Sequence, residues 1–290
     1  MKSILVQFDT DLLPSVFDRV VAVDSGVDHL FSYGGVTPEN LTGLVHGVIF
    51  TRGPADLKNT AIFVGGSDVT AGEVLSKKVQ KTFFGPMRVS VMMDSNGCNT
   101  TAAAAVASAR KHLSLVDANA IVLGATGPVG LRAAELLALE NTRVTLVSRT
   151  LDRAEAACGS VRAKVNTARL TAAAASTPEE FEELAADQQI VIAAGAAGVC
   201  FLSEGALARL DRVKLAIDLN AVPPAGLADV GVMDKAAEKH GTICYGAIGV
   251  GGLKMKVHKR AVASLFESNA AVLETRALYE LALKVAGILT

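Results

Sequence analysis

Short apolar runs alternate along the chain with longer segments whose apolar positions recur at helical spacing. In the first third the runs fall at residues 4–8, 47–50, 61–64 and 89–93 and predict strands. Helices are expected between them. One starts at Thr37-Pro38-Glu39, with Thr as the cap and Pro at the first helical position. A second follows Gly65-Gly66-Ser67-Asp68 and runs to about Lys81. A third starts in Asn99-Thr100-Thr101 and carries an Ala-rich stretch to His112. Further on, residues 120–123 read as a buried strand, 127–139 as a helix and 143–147 as a second strand. Thr177-Pro178-Glu179-Glu180 is a capping box, and 190–193 and 215–219 are further strands. The Ala-rich residues 171–175 read as a connection. From about 253 to 288 the pattern is helical, with no later strand. Such alternation marks βα units and a parallel sheet. The expected fold class is α/β in two domains. One covers residues 1–112, with helices over 253–290 packing back on it; the other is a Rossmann-like domain over 113–252.

Composition narrows the function. Lys plus Arg is 28 and Asp plus Glu is 29 in 290 residues, a formal net charge of −1. A general nucleic-acid binder would carry a basic excess or stripe, so no nucleic-acid partner is expected. Half the residues are hydrophobic, which excludes global disorder. The excess comes from Ala and Val; there is no Trp. Every apolar stretch is interrupted well before the ~20 residues that a membrane span needs. The start, Met1-Lys2-Ser3-Ile4-Leu5-Val6-Gln7-Phe8-Asp9, turns acidic too soon for a signal peptide, so a cytoplasmic location is expected. Cys98, Cys158, Cys200 and Cys244 lie far apart without a CxxC pair. Neither zinc nor a disulfide framework is expected; free thiols in a reducing compartment are. No metal motif occurs, and the five His are scattered.

The strongest local signal is Gly124-Ala125-Thr126-Gly127-Pro128-Val129-Gly130, between a strand and a helix. In that geometry the backbone approaches a pyrophosphate and the helix N-terminus offers free N–H groups. The GxGxxG frame ending at Gly130 has Ala125 in its first position, with Gly124 one residue early. The alternative is a turn that needs Gly only for packing. The tip of the second strand bears on the cofactor. NAD sites usually carry Asp or Glu there. This chain has Ser148-Arg149, with Arg153 close by and no carboxylate. A guanidinium can pair bidentately with a 2′-phosphate, which favours NADP over NAD; Arg149 as a solvated loop residue is the alternative. Two more loops follow strands at the expected carboxyl edge. Ala194-Gly195 is small enough for a cofactor to lie flat, and Asn220 can hydrogen-bond a ribose or carboxamide, unless both are ordinary turns.

Two further stretches carry unabsorbed polarity. Asp94-Ser95-Asn96-Gly97-Cys98-Asn99-Thr100-Thr101 is more polar than one helix cap needs, so it reads as a ligand-facing loop as well. Residues 246–258 read as a Gly-rich loop opening a helix. Lys254 and His258 then share a helical face, and Lys256 points elsewhere. A first-turn cation is disfavoured by the helix dipole, so Lys254 or Lys256 serves a ligand, or else is a solvated charge.

Together these segments resemble the NADP-dependent methylene-tetrahydromethanopterin dehydrogenases of bacterial one-carbon metabolism. The resemblance runs through Gln7-Phe8-Asp9-Thr10-Asp11, Pro14-Ser15-Val16-Phe17-Asp18, Tyr33-Gly34, Val36-Thr37-Pro38 and Thr60-Ala61-Ile62-Phe63-Val64-Gly65-Gly66. It continues through Phe83-Phe84-Gly85-Pro86, Asp94-Ser95-Asn96-Gly97, Asn99-Thr100-Thr101, Thr126-Gly127-Pro128-Val129-Gly130, Asn220-Ala221, Pro223-Pro224 and Gly251-Gly252-Leu253-Lys254, nearly the whole chain. Ala125 replaces the usual Gly. The resemblance implies a pterin-binding first domain, an NADP-binding second domain, a cleft between them and a homo-oligomer. It implies an oxidoreductase that moves a hydride reversibly from methylene-tetrahydromethanopterin to NADP during formaldehyde oxidation in methylotrophy. Relatives differ in whether they accept tetrahydrofolate, and in whether NAD replaces NADP. On this reading Lys254 is the catalytic candidate, and Asp18, Asp94, Asn96, Asn99 and Lys256 are the pterin-side candidates.

The absence of a triad or carboxylate pair agrees with a reaction in which no proton leaves carbon and positioning dominates. The nearest alternative is a methylene-tetrahydrofolate dehydrogenase, with or without cyclohydrolase activity. A dehydrogenase of the shikimate or glutamyl-tRNA reductase type needs a Lys/Asp pair in the first domain, and no convincing pair stands out. A non-catalytic NADP-sensing protein would not need the stretch 94–101 or the turn 251–254.

Overall fold

A computed structural model describes residues 1–289. The chain divides into two compact units. One comprises Met1–Thr100 with Met255–Leu281; the other comprises Thr101–Lys254 with the segment from Ala282 onward. The divisions fall inside three helices, whereas the sequence reading places them at 112/113 and 252/253.

The first unit is built on β1 (Ile4–Asp9), β2 (His29–Tyr33), β3 (Thr60–Gly65), β4 (Ser90–Met93) and β12 (Val272–Leu273). All pair in parallel, in the order β12-β4-β3-β1-β2. β1 and β3 are buried nearly throughout, as strands covered on both faces must be. α1 (Val16–Asp24), α8 (Ala247–Ser264) and α9 (Thr275–Val285) contribute Ala22, Ala261, Val262 and Leu278 to a core with Leu5, Phe63, Met92 and Leu265. α2 (Leu41–Ile49) and α3 (Val69–Thr82) complete this unit. α3 is capped by Asp68, which accepts from the Ala71 N–H at 3.0 Å.

The second unit carries β5 (Asn119–Leu123), β6 (Arg143–Ser148), β7 (Arg169–Ala174), β8 (Ile190–Ala193), β9 (Leu215–Asp218), β10 (Lys235–Lys239) and β11 (Thr242–Tyr245). Their order is β10-β11-β9-β8-β5-β6-β7, parallel except for β10. α5 (Pro128–Leu139), α6 (Leu151–Arg162) and α7 (Pro178–Ala185) connect the strands. In α7 the capping box forms as expected: the Thr177 hydroxyl accepts from the Glu180 N–H, and Glu180 accepts from the Thr177 N–H. α4 (Cys98–Arg110) precedes β5.

Several sequence readings are corrected. Residues 47–50 are not a strand; Val48 and Ile49 are buried in the last turn of α2. A three-residue apolar run is compatible with a helix end or a strand, and periodicity cannot separate them. Thr37-Pro38-Glu39 lies before α2, whose N-cap is Asn40. The Ala run at 171–175 is mostly strand, as the end of β7. The C-terminal pattern is two helices with the short strand β12 between them, so a further strand does follow 253. Residues 247–252 are helix, not loop. Gly249 is there for close packing: a Cβ on it would overlap the Asp234 carbonyl oxygen, at 1.7 Å.

Candidate functional site

β5 ends at Leu123, and the chain turns at Gly124 with φ +74°. A side chain is disfavoured there twice over. The conformation is left-handed, and a Cβ would come 2.6 Å from the Cα of Gly195. The turn is held by the Ala125 N–H donating to the Val147 carbonyl at 3.1 Å and the Gly127 N–H donating to the Gly124 carbonyl at 3.2 Å. Gly130 packs α5 onto this turn, since a Cβ on it would lie 2.7 Å from the Gly124 oxygen. α5 starts with Gly127 as N-cap and Pro128 at its first position, with no side-chain cap. The N–H groups of its first turn therefore have no intrahelical acceptor and no capping oxygen.

Beside the turn is a cavity of about 310 Å³. Gly124, Thr126 and Gly127 line one part of it, Ser148, Arg149 and Arg153 another, and Ala194 and Gly195 a third. No carboxylate lines it among the described residues. Arg149 and Arg153 are exposed, and neither makes a hydrogen bond or ion pair among the described residues. The donor set fits a dinucleotide: glycines where the backbone must come close, uncapped helix N–H groups, and two uncommitted guanidinium groups at the tip of β6.

Other expected cofactor residues have different places. Ala125, Pro128, Val129 and Gly130 shape the turn and do not line the cavity. Asn220 is also outside it. Its amide donates to the Pro224 carbonyl at 2.8 Å, and its oxygen accepts from the Val222 N–H at 3.0 Å. The organiser of that loop is Asp218 at the end of β9, which accepts from the N–H groups of Asn220 and Leu227 at 3.0 Å each. Burial pushes its carboxyl pKa up, and those N–H donors oppose the shift. Sequence reasoning missed the apolar walls, Phe181, Val199 and Phe201. Phe181 and Phe201 meet edge to face at 5.0 Å, and Phe201 presses on Gly195, where a Cβ would come within 2.3 Å of its ring. A signal for Phe181 was available, as the first apolar residue after the capping box.

In the first unit the polar strand ends meet at the carboxyl edge of the sheet. Asp9, fully buried, accepts from the N–H groups of Asp11 and Ser15 and from the Gln7 amide. Asp94, also fully buried, accepts from the N–H groups of Asn99 and Thr100 at 2.9 and 3.0 Å and from the Thr100 hydroxyl at 2.6 Å. Asp94 thus caps the start of α4. Asn99 donates to the Met93 carbonyl at 2.7 Å and accepts from the Thr275 hydroxyl at 2.7 Å. Asn96 is exposed, with φ +52°. Asp18, in the first turn of α1, has a carboxylate oxygen 3.5 Å from where a Cβ on Gly65 would sit.

Lys254 is half-buried and lies well inside α8, not in a first turn. His258, one turn further on the same face, is buried. Lys256 is exposed and lies about 200° around the helix from Lys254. Among the described residues no group of three or more His, Cys, Asp or Glu side chains comes together to hold a metal ion. No described helix is long and apolar enough to cross a membrane. Cys98, Cys158, Cys200 and Cys244 are free thiols.

The parallel sheet of the first unit, the mostly parallel sheet of the second and the glycine turn define an α/β protein of the Rossmann-type dehydrogenase fold. A solved structure of shikimate 5-dehydrogenase from Listeria monocytogenes, in complex with shikimate and NAD, superposes with a TM-score of 0.54. It covers 97% of this chain and 96% of its own, at 12% identity, so the likeness is one of fold. A family model described as methylene-tetrahydromethanopterin dehydrogenase, N-terminal, matches residues 16–96. That segment contains Asp18, Asp94 and Asn96. Two curated relatives come from Methylorubrum extorquens. The one named bifunctional protein MdtA is 46% identical over 98% of this chain and 99% of its own length. The one named NAD(P)-dependent methylenetetrahydromethanopterin dehydrogenase is 29% identical over 94% of this chain and 95% of its own. The chain belongs to the methylene-tetrahydromethanopterin dehydrogenase family.

Proposed function

We propose that this chain is an NADP-dependent oxidoreductase that moves a hydride reversibly from methylene-tetrahydromethanopterin to the cofactor, giving the methenyl product. The observation that carries the reading is the carboxylate-free cavity beside Gly124, with Arg149 and Arg153 uncommitted at its edge, in a chain of this family. NADP, when bound, supplies the hydride acceptor.

The chain's own residues have a positioning task. The methylene carbon lies between two nitrogens whose lone pairs stabilise the cation left behind. No proton leaves carbon, so no general base is required. Gly124 and Gly195 leave room for the cofactor backbone, and the first turn of α5 offers N–H donors to its pyrophosphate. Arg149 and Arg153 pair with a 2′-phosphate, and Ser148 adds a hydroxyl; NAD is the alternative cofactor. The first unit binds the pterin at its carboxyl edge, where Asp18 and Asn96 are the candidates with side chains toward a ligand. Asp94 and Asn99 shape that edge through the bonds described above. Lys254 hydrogen-bonds the substrate, and Lys256 is the weaker candidate because of its exposure. Holding two flat rings face to face contributes several kcal/mol to lowering the barrier. Excluding water keeps the methenyl product from hydrolysis.

A second reading is that the chain also accepts methylene-tetrahydrofolate. The enzyme is further proposed to act in the cytoplasm as a homo-oligomer, in one-carbon metabolism of the methylotrophic type. The test is to compare kcat/KM for the methylene forms of tetrahydromethanopterin and tetrahydrofolate, with NADP saturating. The first reading requires turnover of the methanopterin substrate. Turnover of the folate alone overturns it in favour of the alternative.

A further inference from the structure

β2 is the edge strand of the first unit's sheet, and it carries Phe31 and Tyr33 two residues apart, hence on one side. Both rings are exposed, at 47% and 43%. They line a cavity of about 360 Å³ between the sheet and α2, with Ile4 and Val6 of β1 as its floor. That volume falls within the range of small-ligand pockets, about 300–1,000 Å³. The wall on α2 is bare. Gly43 and Gly47 lie one turn apart on it, and a Cβ on either would meet nothing within 4 Å. Neither has a positive φ, so neither is there for its backbone conformation, and a glycine inside a helix is unfavourable against Ala. Two rings on one side and helix backbone on the other leave a flat slot.

The ends of the slot differ. Tyr33 is level with Phe8, near the end of β1; Thr60 is level with Ile4, at its start. The Thr60 end is polar. Arg52 lines it, with Nη1 donating to the Asn59 carbonyl at 2.6 Å and the Thr60 hydroxyl at 3.0 Å, and Nη2 donating to the Lys2 carbonyl at 3.0 Å. All three acceptors are neutral, and no carboxylate among the described residues pairs with this guanidinium. Asp28, just before β2, is taken by Lys2 and Ser3. Thr60 is 4% exposed and also lines the cavity. Its oxygen accepts from Arg52, and its own hydrogen is donated to no described residue. A fixed, unneutralised guanidinium beside a buried hydroxyl with a proton to give is a donor set for a carboxylate.

We infer that this slot is a second small-molecule site of the chain and that it takes a small aromatic carboxylate. The ring lies between Phe31 and Tyr33 on one side and the Gly43–Gly47 backbone on the other, and the carboxylate meets Arg52 and Thr60. The slot shares no residue with the cavity beside Gly124, and the inference stands apart from the proposed dehydrogenase activity.

The probe is 2-naphthoate, titrated into protein saturated with NADP and followed by naphthyl fluorescence, which no Trp obscures. The uncharged control is 2-naphthamide. Gly47→Leu fills the slot with a side chain that helices favour over Gly, and Arg52→Gln removes the charge. Saturable binding of naphthoate is expected, with naphthamide at least tenfold weaker. Each variant should weaken naphthoate at least tenfold and keep the wild-type affinity for NADP, and Gly47→Leu should melt no lower than wild type. Absence of saturable naphthoate binding overturns the inference. So does an unchanged naphthoate affinity in Gly47→Leu, which would put the probe elsewhere. Equal affinity for naphthoate and naphthamide overturns it as well, because the Arg52 end would then have no role. If Arg52→Gln fails to fold, Gly47→Leu still tests the location and naphthamide still tests the charge.

Discussion

Gly124 and Gly195 approach so closely that a Cβ on Gly124 would sit 2.6 Å from the Gly195 Cα. The approach joins the turn after β5 to the loop after β8, the two backbone segments that flank the cavity. Gly124→Ala combines a left-handed φ with a backbone collision, and should cost about 2–5 kcal/mol of stability. Denaturant unfolding and NADP titration check this. Unchanged stability and affinity would show that the turn is not the tight cradle described.

Arg149 is expected to set the cofactor preference. A hydrogen bond to a charged partner contributes about 1.5–3 kcal/mol, so Arg149→Ala should raise KM for NADP by about 10- to 100-fold. KM for NAD should hardly move. If both constants change equally, Arg149 is not reading the phosphate.

Lys254→Ala should lower kcat/KM for the pterin at least tenfold, about 1.4 kcal/mol of barrier, with NADP affinity kept. Lys256→Ala should have a smaller effect, given its exposure and its place about 200° around α8. Equal losses in the two variants would point to a general charge effect instead of one placed ammonium group.

Asp94→Ala should be read first as a stability change. It leaves two N–H groups and a hydroxyl at the start of α4 without their acceptor. A lost helix cap typically costs about 1 kcal/mol, and buried unsatisfied groups about 1–3 kcal/mol. A pterin KM that rises with no fall in melting temperature would instead place Asp94 against the substrate.

His112 gives a pH dependence of defined sign. Its Nε2 lies 2.8 Å from the Tyr245 hydroxyl, and burial, aided by Lys111, lowers its pKa from the ordinary 6.5. The unfolded chain therefore takes up the proton first, so stability should fall as pH drops below about 6.5. His112→Gln should flatten that slope. Melting temperatures between pH 7.5 and 5.5 measure it, and identical slopes would exclude a contribution from His112.

The strands with long apolar runs and the turn chemistry were legible in the sequence. β3, β5 and β8 show continuous burial, and the capping box at Thr177 names its helix. The less buried strands were not legible. β2 alternates exposed and half-buried residues at the sheet edge, and β7 ends in an Ala run that looks helical. The glycines of α8 misled for a related reason: Gly249 permits close packing against Asp234 and Lys235, yet composition alone marks a loop. At the site, Gly124, Arg149 and Gly195 were found because backbone approach and charge leave local signatures. Phe181 and Phe201 are ordinary apolar residues whose meeting is set by tertiary structure.

The central claim is hydride transfer from a methylene pterin to NADP. Its most direct test is the initial rate with methylene-tetrahydromethanopterin, followed as methenyl absorbance, with NADP and NAD compared at equal concentration. Methenyl formation is expected, faster with NADP. NADP binding without methenyl formation from either the methanopterin or the folate substrate would contradict it.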